Sequence, residues 1–408
     1  MALSDQKIQA LGRDGLQLAA RGDFASAEAL FARAADARPN SGQLLHLLGQ
    51  VRLKLGRFAD AREPLERAAS FLPRDAAAQI NLAGCLGQLG QHEAALATLD
   101  RAARLKPGDA AIAFNRGRAL EALGRSEEAE HAYDEALSID HRLMPALSAR
   151  ASLLAARGDW VGALGDLDRA LAIRPDEYAL KLRRGELLLR QGDWSRGLVD
   201  YEARLDTPGD RYTPALPRWQ GEPVDGPLLV YPEQTDIDGD EAVRDTLMLA
   251  RGVDCVVQGG ARIAGLLDRP TVGRDAPLKD FAAAAPLRSL PHLLGWTLDS
   301  LPPPGALRPK AEPSARVGWF ARTAPPAGVI VESDPSRVAA CGFVVGNDSA
   351  VTHIAALLGI PTLLLLPSAA DWLWGPKRGL SPWYPSLEVA GEDEGLAAYR
   401  RRMHDVVT

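Results

Sequence analysis

Small residues recur every 34 positions through the first half of this chain, and the apolar stripes around them follow a helical period. Gly22, Gly56, Gly90, Gly124, Gly158 and Gly192 share one phase. Ala27, Ala61, Ala95, Ala129 and Ala163 share a second, continued by Gly197. Ala34, Ala68, Ala102, Ala136 and Ala170 share a third, and Pro39, Pro73, Pro107 and Pro175 close several units at a fourth. Each phase has a mechanical reason. Glycine ends the first helix of a pair, where a left-handed backbone or a close approach is needed. Alanine on the second helix lets the paired helices come together. Proline then stops that helix before the next unit begins. Self-similarity at this period predicts stacked helix pairs, six of them over residues 8–211. Such an array is a surface for holding another molecule, a protein above all. Arg204 breaks the alanine phase and Asp206–Asp210 replaces the usual ending, as expected where an array meets another domain.

The pattern then changes. Prolines and glycines between Asp206 and Gly226 end the helical period, which places the array at 1–211, a linker at 212–227 and a second domain at 228–408. In that domain "PLLVYP", "DCVVQ", "ARVGWFA", "GVIVE", "GFVVGN" and "TLLLLP" read as buried strands. Helices are expected at "DEAVRDTLMLARG", at Pro335–Ala340, at Ser349–Leu358 and from about Glu394 to Val406. Apolar strands alternating with helices predict a parallel α/β sheet. The 182 residues from Pro227 to Thr408 hold six βα units of about 30 residues each. That fills one doubly wound sheet or two stunted halves, and falls short of two complete Rossmann domains.

Composition narrows the function without naming it. With 408 residues, 46% hydrophobic and 25% charged, the chain is expected to form two or three globular domains. A net charge of −6 gives no sign of a nucleic-acid partner. "MALSDQKIQALGRDG" lacks the apolar core of a secretory signal, and no apolar run is long enough to span a membrane. Cys85, Cys255 and Cys341 are widely spaced and read as reduced core residues of a cytoplasmic protein.

Candidate chemistry concentrates in Gly342–Val389. A strand ends at Gly346-Asn347, Asp348 caps a helix beginning at Ser349, and His353 lies within two turns. A helix N-terminus at the carboxyl edge of a parallel sheet is an anion site, to which Ser349 adds a hydroxyl and His353 a ring nitrogen. The alternative is an ordinary cap beside a packed histidine. Asp236, Asp238 and Asp240 alternate as in a calcium loop, but the glycine is misplaced, and no metal is assigned there. Trp160 and Trp194 share a phase with Phe24 and Phe58 and read as repeat core, and Pro302-Pro303-Pro304 as a spacer.

The 34-residue unit, typified by Ala76–Asp109, closely resembles the tetratricopeptide repeat. Asn81 and Asn115 occupy one phase on adjacent first helices. An asparagine ladder at this phase resembles the peptide-backbone grip of O-linked N-acetylglucosamine transferases. Leu47, Ala149 and Arg183 interrupt that ladder, and a helix-pairing role for the two is the alternative.

Residues 216–390 are similar to the heptosyltransferase-like glycosyltransferases, in their bacterial form fused to such repeats. The resemblance rests on Asp348, Ser349 and His353, and on Asp371, Trp372, Trp374 and Ser381-Pro382-Trp383-Tyr384-Pro385. "LPRWQGEP" and "PLRSLPHLLGWTLDSLP" add to it. It implies a truncated GT-B, Rossmann-like fold behind an α-solenoid of six repeats, and a nucleotide-sugar as substrate rather than any cofactor. Asp348, Ser349, His353 and Arg244 would hold the donor, and Asp238 would be the catalytic base. The chain also departs from the family. Glu233, Gln234, Asp238 and Arg244 fall in register, but Thr235 and Ile237 replace two turn glycines. Tens of residues that carry cationic side chains for the donor phosphates are missing before the Asp348 segment, leaving Arg322. Two functions follow. The repeats hold a protein or extended peptide while the second domain glycosylates a protein hydroxyl, or the second domain is a non-catalytic part of a scaffold.

Overall fold

The computed structural model describes residues 4–206, 209, 211–263, 267, 269–297, 300–302, 314–321, 331–332, 338–339, 341–367, 372–374 and 379–391. Arg322, Asp371 and the helices expected at Pro335–Ala340 and Glu394–Val406 lie wholly or largely outside these residues. The chain forms two bodies, Met1–Pro175 and Asp176–Thr408.

The first body is five helix pairs: α1 (Asp5–Ala20) with α2 (Phe24–Ala37), α3 (Gly42–Lys54) with α4 (Phe58–Phe71), α5 (Ala76–Gln88) with α6 (His92–Leu105), α7 (Ala110–Ala122) with α8 (Ser126–Ile139), and α9 (Met144–Ala156) with α10 (Trp160–Ile173). Every glycine of the 34-residue phase has φ between +72° and +88°, the left-handed turn that reverses the chain between partners. The alanines of both phases are at most 1% exposed, so the helices of a pair meet across methyl groups. Aspartates at 23, 75, 109 and 159 cap α2, α5, α7 and α10 by accepting from first-turn N–H groups.

A sixth pair, α11 (Tyr178–Gln191) and α12 (Trp194–Tyr201), has the same local plan but belongs to the second body. The 34-residue period continues to residue 211, whereas the compact division falls at residue 175, because this pair packs on the α/β core. Trp194 meets Trp383 with ring centroids 5.8 Å apart, and both are buried. Gly197 replaces the alanine of its phase because a Cβ there would come within 2.9 Å of the Leu189 backbone.

The α/β core holds two small sheets, the stunted-halves alternative. The first has β1 (Leu228–Tyr231), β2 (Val256–Gln258), β3 (Thr271–Val272) and β4 (Ala283–Pro286), all parallel, in the order β3-β2-β1-β4. The second has β5 (Ser314–Phe320), β6 (Val331–Glu332), β7 (Cys341–Gly346), β8 (Thr362–Leu366), β9 (Gly379–Leu380) and β10 (Leu387–Gly391), in the order β6-β5-β7-β8-β10-β9. It is parallel except for β9. Helix α13 (Asp240–Leu249) follows β1, the short α14 (Leu290–Leu293) follows β4, and α15 (Ala350–Leu357) follows β7. Helix α13 packs against α15 and brings the two sheets together. Among the described residues no helix is long and apolar enough to cross a membrane, and the three buried cysteines form no disulfide.

Candidate functional site

The turn from β7 into α15 carries the residues expected to hold a donor diphosphate. The helix begins at Ala350, with Ser349 in the cap position and no side-chain cap bond. This corrects the expectation that Asp348 caps a helix starting at Ser349. The Ser349 hydroxyl lies 3.2 Å from that of Thr352, which donates to the Asn347 carbonyl. The Asp348 carboxylate is engaged elsewhere. Its Oδ2 accepts from Arg244 Nη1 at 2.9 Å and from Trp374 Nε1 at 3.1 Å, and its Oδ1 lies 2.9 Å from His353 Nε2.

His353 is completely buried, and its Nδ1 lies 3.1 Å from the Tyr384 hydroxyl. A neutral imidazole that donates from Nε2 to Asp348 and accepts at Nδ1 from Tyr384 satisfies all three groups, and the tautomer is assigned on that basis. Burial pushes the His353 imidazole down, against the pull of Asp348. Burial would raise the Asp348 carboxyl, but the His353 hydrogen bond and the Arg244 charge outweigh it and hold the group well below the usual carboxylate range. His353 is the residue expected to reach a ribose, sugar or phosphate. Both its nitrogens are bonded inside the protein, and the rings of Trp374 and Tyr384 pack against it at 5.3 and 5.6 Å.

Arg244 is committed in the same way. Its guanidinium also donates to Asp245, which is 1% exposed and accepts from Arg288 Nε at 2.6 Å and Gln234 Nε2 at 2.9 Å. Burial opposes ionisation of Asp245, yet Arg288 and Arg244 outweigh it and lower its pKa. Arg288 reaches on to the Tyr201 hydroxyl at 2.9 Å and to Glu241 at 2.7 Å. Arg244, Asp348 and His353 thus come together with a set of partners that periodicity does not reveal: Asp245, Arg288, Gln234 and Tyr201.

A cavity of about 600 Å³ lies at the carboxyl end of β1, bounded by Tyr201, Arg204, Glu233, Gln234, Asp240 and Arg288 among others. Arg204, the residue that broke the alanine phase, is 4% exposed and donates to Glu233, Glu202 and Ser289. One oxygen each of Glu233 and Gln234 is buried without a partner among the described residues.

Asp238 is placed differently. Its Oδ1 accepts from the Arg262 backbone N–H at 2.9 Å, and a Cβ on Gly260 would fall 2.1 Å from that oxygen. The carboxylate therefore ties the β1–α13 loop to the 260–262 turn. Arg262 closes the tie by pairing with Asp240 at 2.9 Å. No described non-glycine residue has positive φ, and Gly239 has φ −64°, so the loop is rebuilt without the left-handed turn that Thr235 and Ile237 would resist.

In the first body the two asparagines part company. Asn81 Nδ2 lies 2.6 Å from His46 Nε2 on α3, and burial pushes the His46 imidazole down against the influence of Asp75. Asn115 borders a second cavity, of about 120 Å³, between α5, α6 and α7. Around them run arginine rungs. Arg116 on α7 reaches back to Asp100 on α6 at 2.9 Å and forward to Glu135 on α8 at 3.2 Å. Arg150 on α9 reaches back to Asp134 on α8 and forward to Asp166 on α10. In the second body Arg184 pairs with Asp200 at 2.6 Å. The signal was present in the sequence: Arg116, Arg150 and Arg184 are 34 apart, as are Asp100 and Asp134, and Asp166 and Asp200.

The tetratricopeptide repeat family model matches residues 15–78, 47–110, 86–142 and 148–212. The amino-terminal part of the chain is therefore a tetratricopeptide-repeat array, and repeats of this family bind protein partners. No curated protein matches the chain. Among solved structures it is similar to the thermophilic tetratricopeptide protein TTC0263 of Thermus thermophilus, at 28% identity over 45% of this chain and 99% of that one, with a TM-score of 0.38. A tetratricopeptide protein from Parabacteroides merdae shares 22% identity over 49% of this chain and 80% of that one, TM-score 0.43. MamA from Desulfovibrio magneticus shares 18% over 43% and 99%, TM-score 0.40.

Proposed function

We propose that this chain is a cytoplasmic protein-binding scaffold whose repeats hold an extended segment of a partner and whose α/β body works without turnover. One observation carries the second half of that reading. The groups expected to hold a nucleotide-sugar are already satisfied by one another, with Asp348 bonded to Arg244, His353 and Trp374. A diphosphate at the start of α15 would meet the Asp348 carboxylate, and Arg244 would have to abandon the buried Asp245 and the partly buried Asp348 to neutralise it. Desolvated charge is costly to strand in this way. The first half of the reading rests on the repeat array and on Asn115, which borders a cleft without an internal partner among the described residues.

A second reading is favoured by the cavity beside β1. In it the α/β body transfers a sugar from a nucleotide-sugar to a protein hydroxyl, and Glu233, whose carboxylate borders the cavity, is better placed than Asp238 to receive the proton. Calorimetric titration of the full chain with uridine, guanosine, adenosine and cytidine diphosphates separates the two. The scaffold reading expects no heat at millimolar nucleotide. Saturable binding of one of the four that is lost on Glu233→Gln would replace it with the enzyme.

A further inference from the structure

Most glycines inside the first-body helices are explained by what they face. A Cβ on Gly49 would strike Leu65 at 2.4 Å, and one on Gly117 would strike Tyr133 at 2.4 Å. Gly84 and Gly87 on α5, like Gly165 on α10, have no such reason, since a Cβ on any of them would meet nothing within 4 Å. Glycine inside a helix is unfavourable relative to alanine. Other repeats carry side chains at these phases: Gln50, Arg118, Ser152 and Glu186 at the first, Leu53, Glu121, Ala155 and Leu189 at the second. The third repeat alone clears both, one turn apart on the same helix.

Both glycines border the 120 Å³ cavity, whose floor includes Leu99 and whose rim carries His92, Asn115 and Arg118. Among the described residues no acidic side chain lines it. Arg118 is exposed and makes no ion pair among the described residues, in contrast to Arg116 two positions before it. Bare backbone, an apolar hollow, an unengaged amide and an unengaged cation therefore converge on one spot.

We propose that this cleft seats an acidic extended segment of a partner protein, a specification that rests on the repeat-binding reading above. The partner backbone runs over Gly84 and Gly87, where the missing side chains allow close approach, and pairs with the donor and acceptor of the Asn115 amide. One aliphatic side chain fills the hollow above Leu99. A neighbouring Asp or Glu pairs with Arg118, for which no described acid in the rim competes.

The test is selection of randomised octapeptides on the full chain, followed by affinity measurement. Enriched peptides are expected to carry an aliphatic residue beside Asp or Glu. The double variant Gly84→Gln, Gly87→Leu gives the third repeat the side chains of the second and should weaken them at least tenfold. Its melting temperature should hold or rise, because both replacements favour the helix. Arg118→Glu should weaken the same peptides at least tenfold and shift enrichment toward Lys or Arg. Peptides that bind but keep their affinity in both variants overturn this cleft while leaving repeat binding intact. A chain that enriches no peptide overturns both.

Discussion

The two bodies place their ionic groups in opposite ways. In the helix-pair array the rung arginines stay partly exposed, and each guanidinium bridges carboxylates on neighbouring helices; Arg150 remains 20% exposed as it does so, with Asp166 the one buried carboxylate among its partners. In the α/β body the corresponding chemistry is buried: Asp245, Arg244 and His353 are all less than a tenth exposed. A surface rung that is lost is replaced by water and costs little. A buried group that loses its partner keeps the full penalty of desolvation. The array should thus tolerate substitution at its exposed charges, Asp166 excepted, whereas the second body should depend on a few of its own.

Asp245→Ala should have the largest effect. It removes the buried carboxylate that Arg244 and Arg288 share, leaving them the more exposed Asp348 and Glu241, and the expected loss is about 3–5 kcal/mol in the second body alone. Tryptophan fluorescence reads that body, because only Trp160 of the eight tryptophans precedes residue 176. Helical ellipticity reads largely the array. A single transition, shifted equally by both probes, would erase the distinction between the bodies.

His353→Ala comes next. It leaves Asp348 and Tyr384 without their partner and opens a cavity, for an expected loss of about 2–4 kcal/mol. An unchanged melting temperature with weakened nucleotide binding would instead give His353 the ligand role read from the sequence.

Acid should act on the same residue. Burial lowers the folded-state pKa of His353 below its unfolded value near 6.5, so below that pH the unfolded chain takes up a proton that the folded chain refuses. Stability of the second body should then fall by about 1.4 kcal/mol per pH unit below ~6.5, until the folded imidazole also protonates. A flat fluorescence-detected stability between pH 7 and 5 would mean that the ring is already charged in the folded protein.

The smallest effect is expected in the array. Gly56→Ala places a Cβ on a backbone with φ +72° and should cost about 1 kcal/mol, seen by ellipticity and not by fluorescence. Equal shifts in both signals would couple the bodies more tightly than their separate packing implies.

What the sequence revealed follows the same division. Period carried the array: the glycines, alanines and their phases fixed each helix and turn, and even the rungs repeat at 34. Apolar runs likewise located β1, β2, β5, β7 and β8. The Ala283–Pro286 strand escaped notice because alanine has little strand preference; it forms because β1 pairs with it on one side and the Arg218 backbone bridges to Ala284. The network around Asp348 escaped for a different reason. Tyr201, Gln234, Asp245, Arg288 and Tyr384 share no spacing, and only the packing of α13 on α15 assembles them. Resemblance found Asp348 and His353 but could not show that their polar atoms face each other.

The rungs also have a mechanical meaning. A repeat array bends at the joints between one pair and the next, each joint moving nearly independently. Arg116 and Arg150 cross such joints, fastening α6 to α7 and α8 to α9, while alanine contacts lock the helices within each pair. Ionic fastenings soften as the screening length shrinks from about 8 Å at physiological salt to about 3 Å at 1 M, whereas methyl contacts do not. Rising ionic strength should therefore loosen the ionic share of the α6–α7 and α8–α9 joints, while the apolar contacts that also cross the joints of the first body hold the pairs in register.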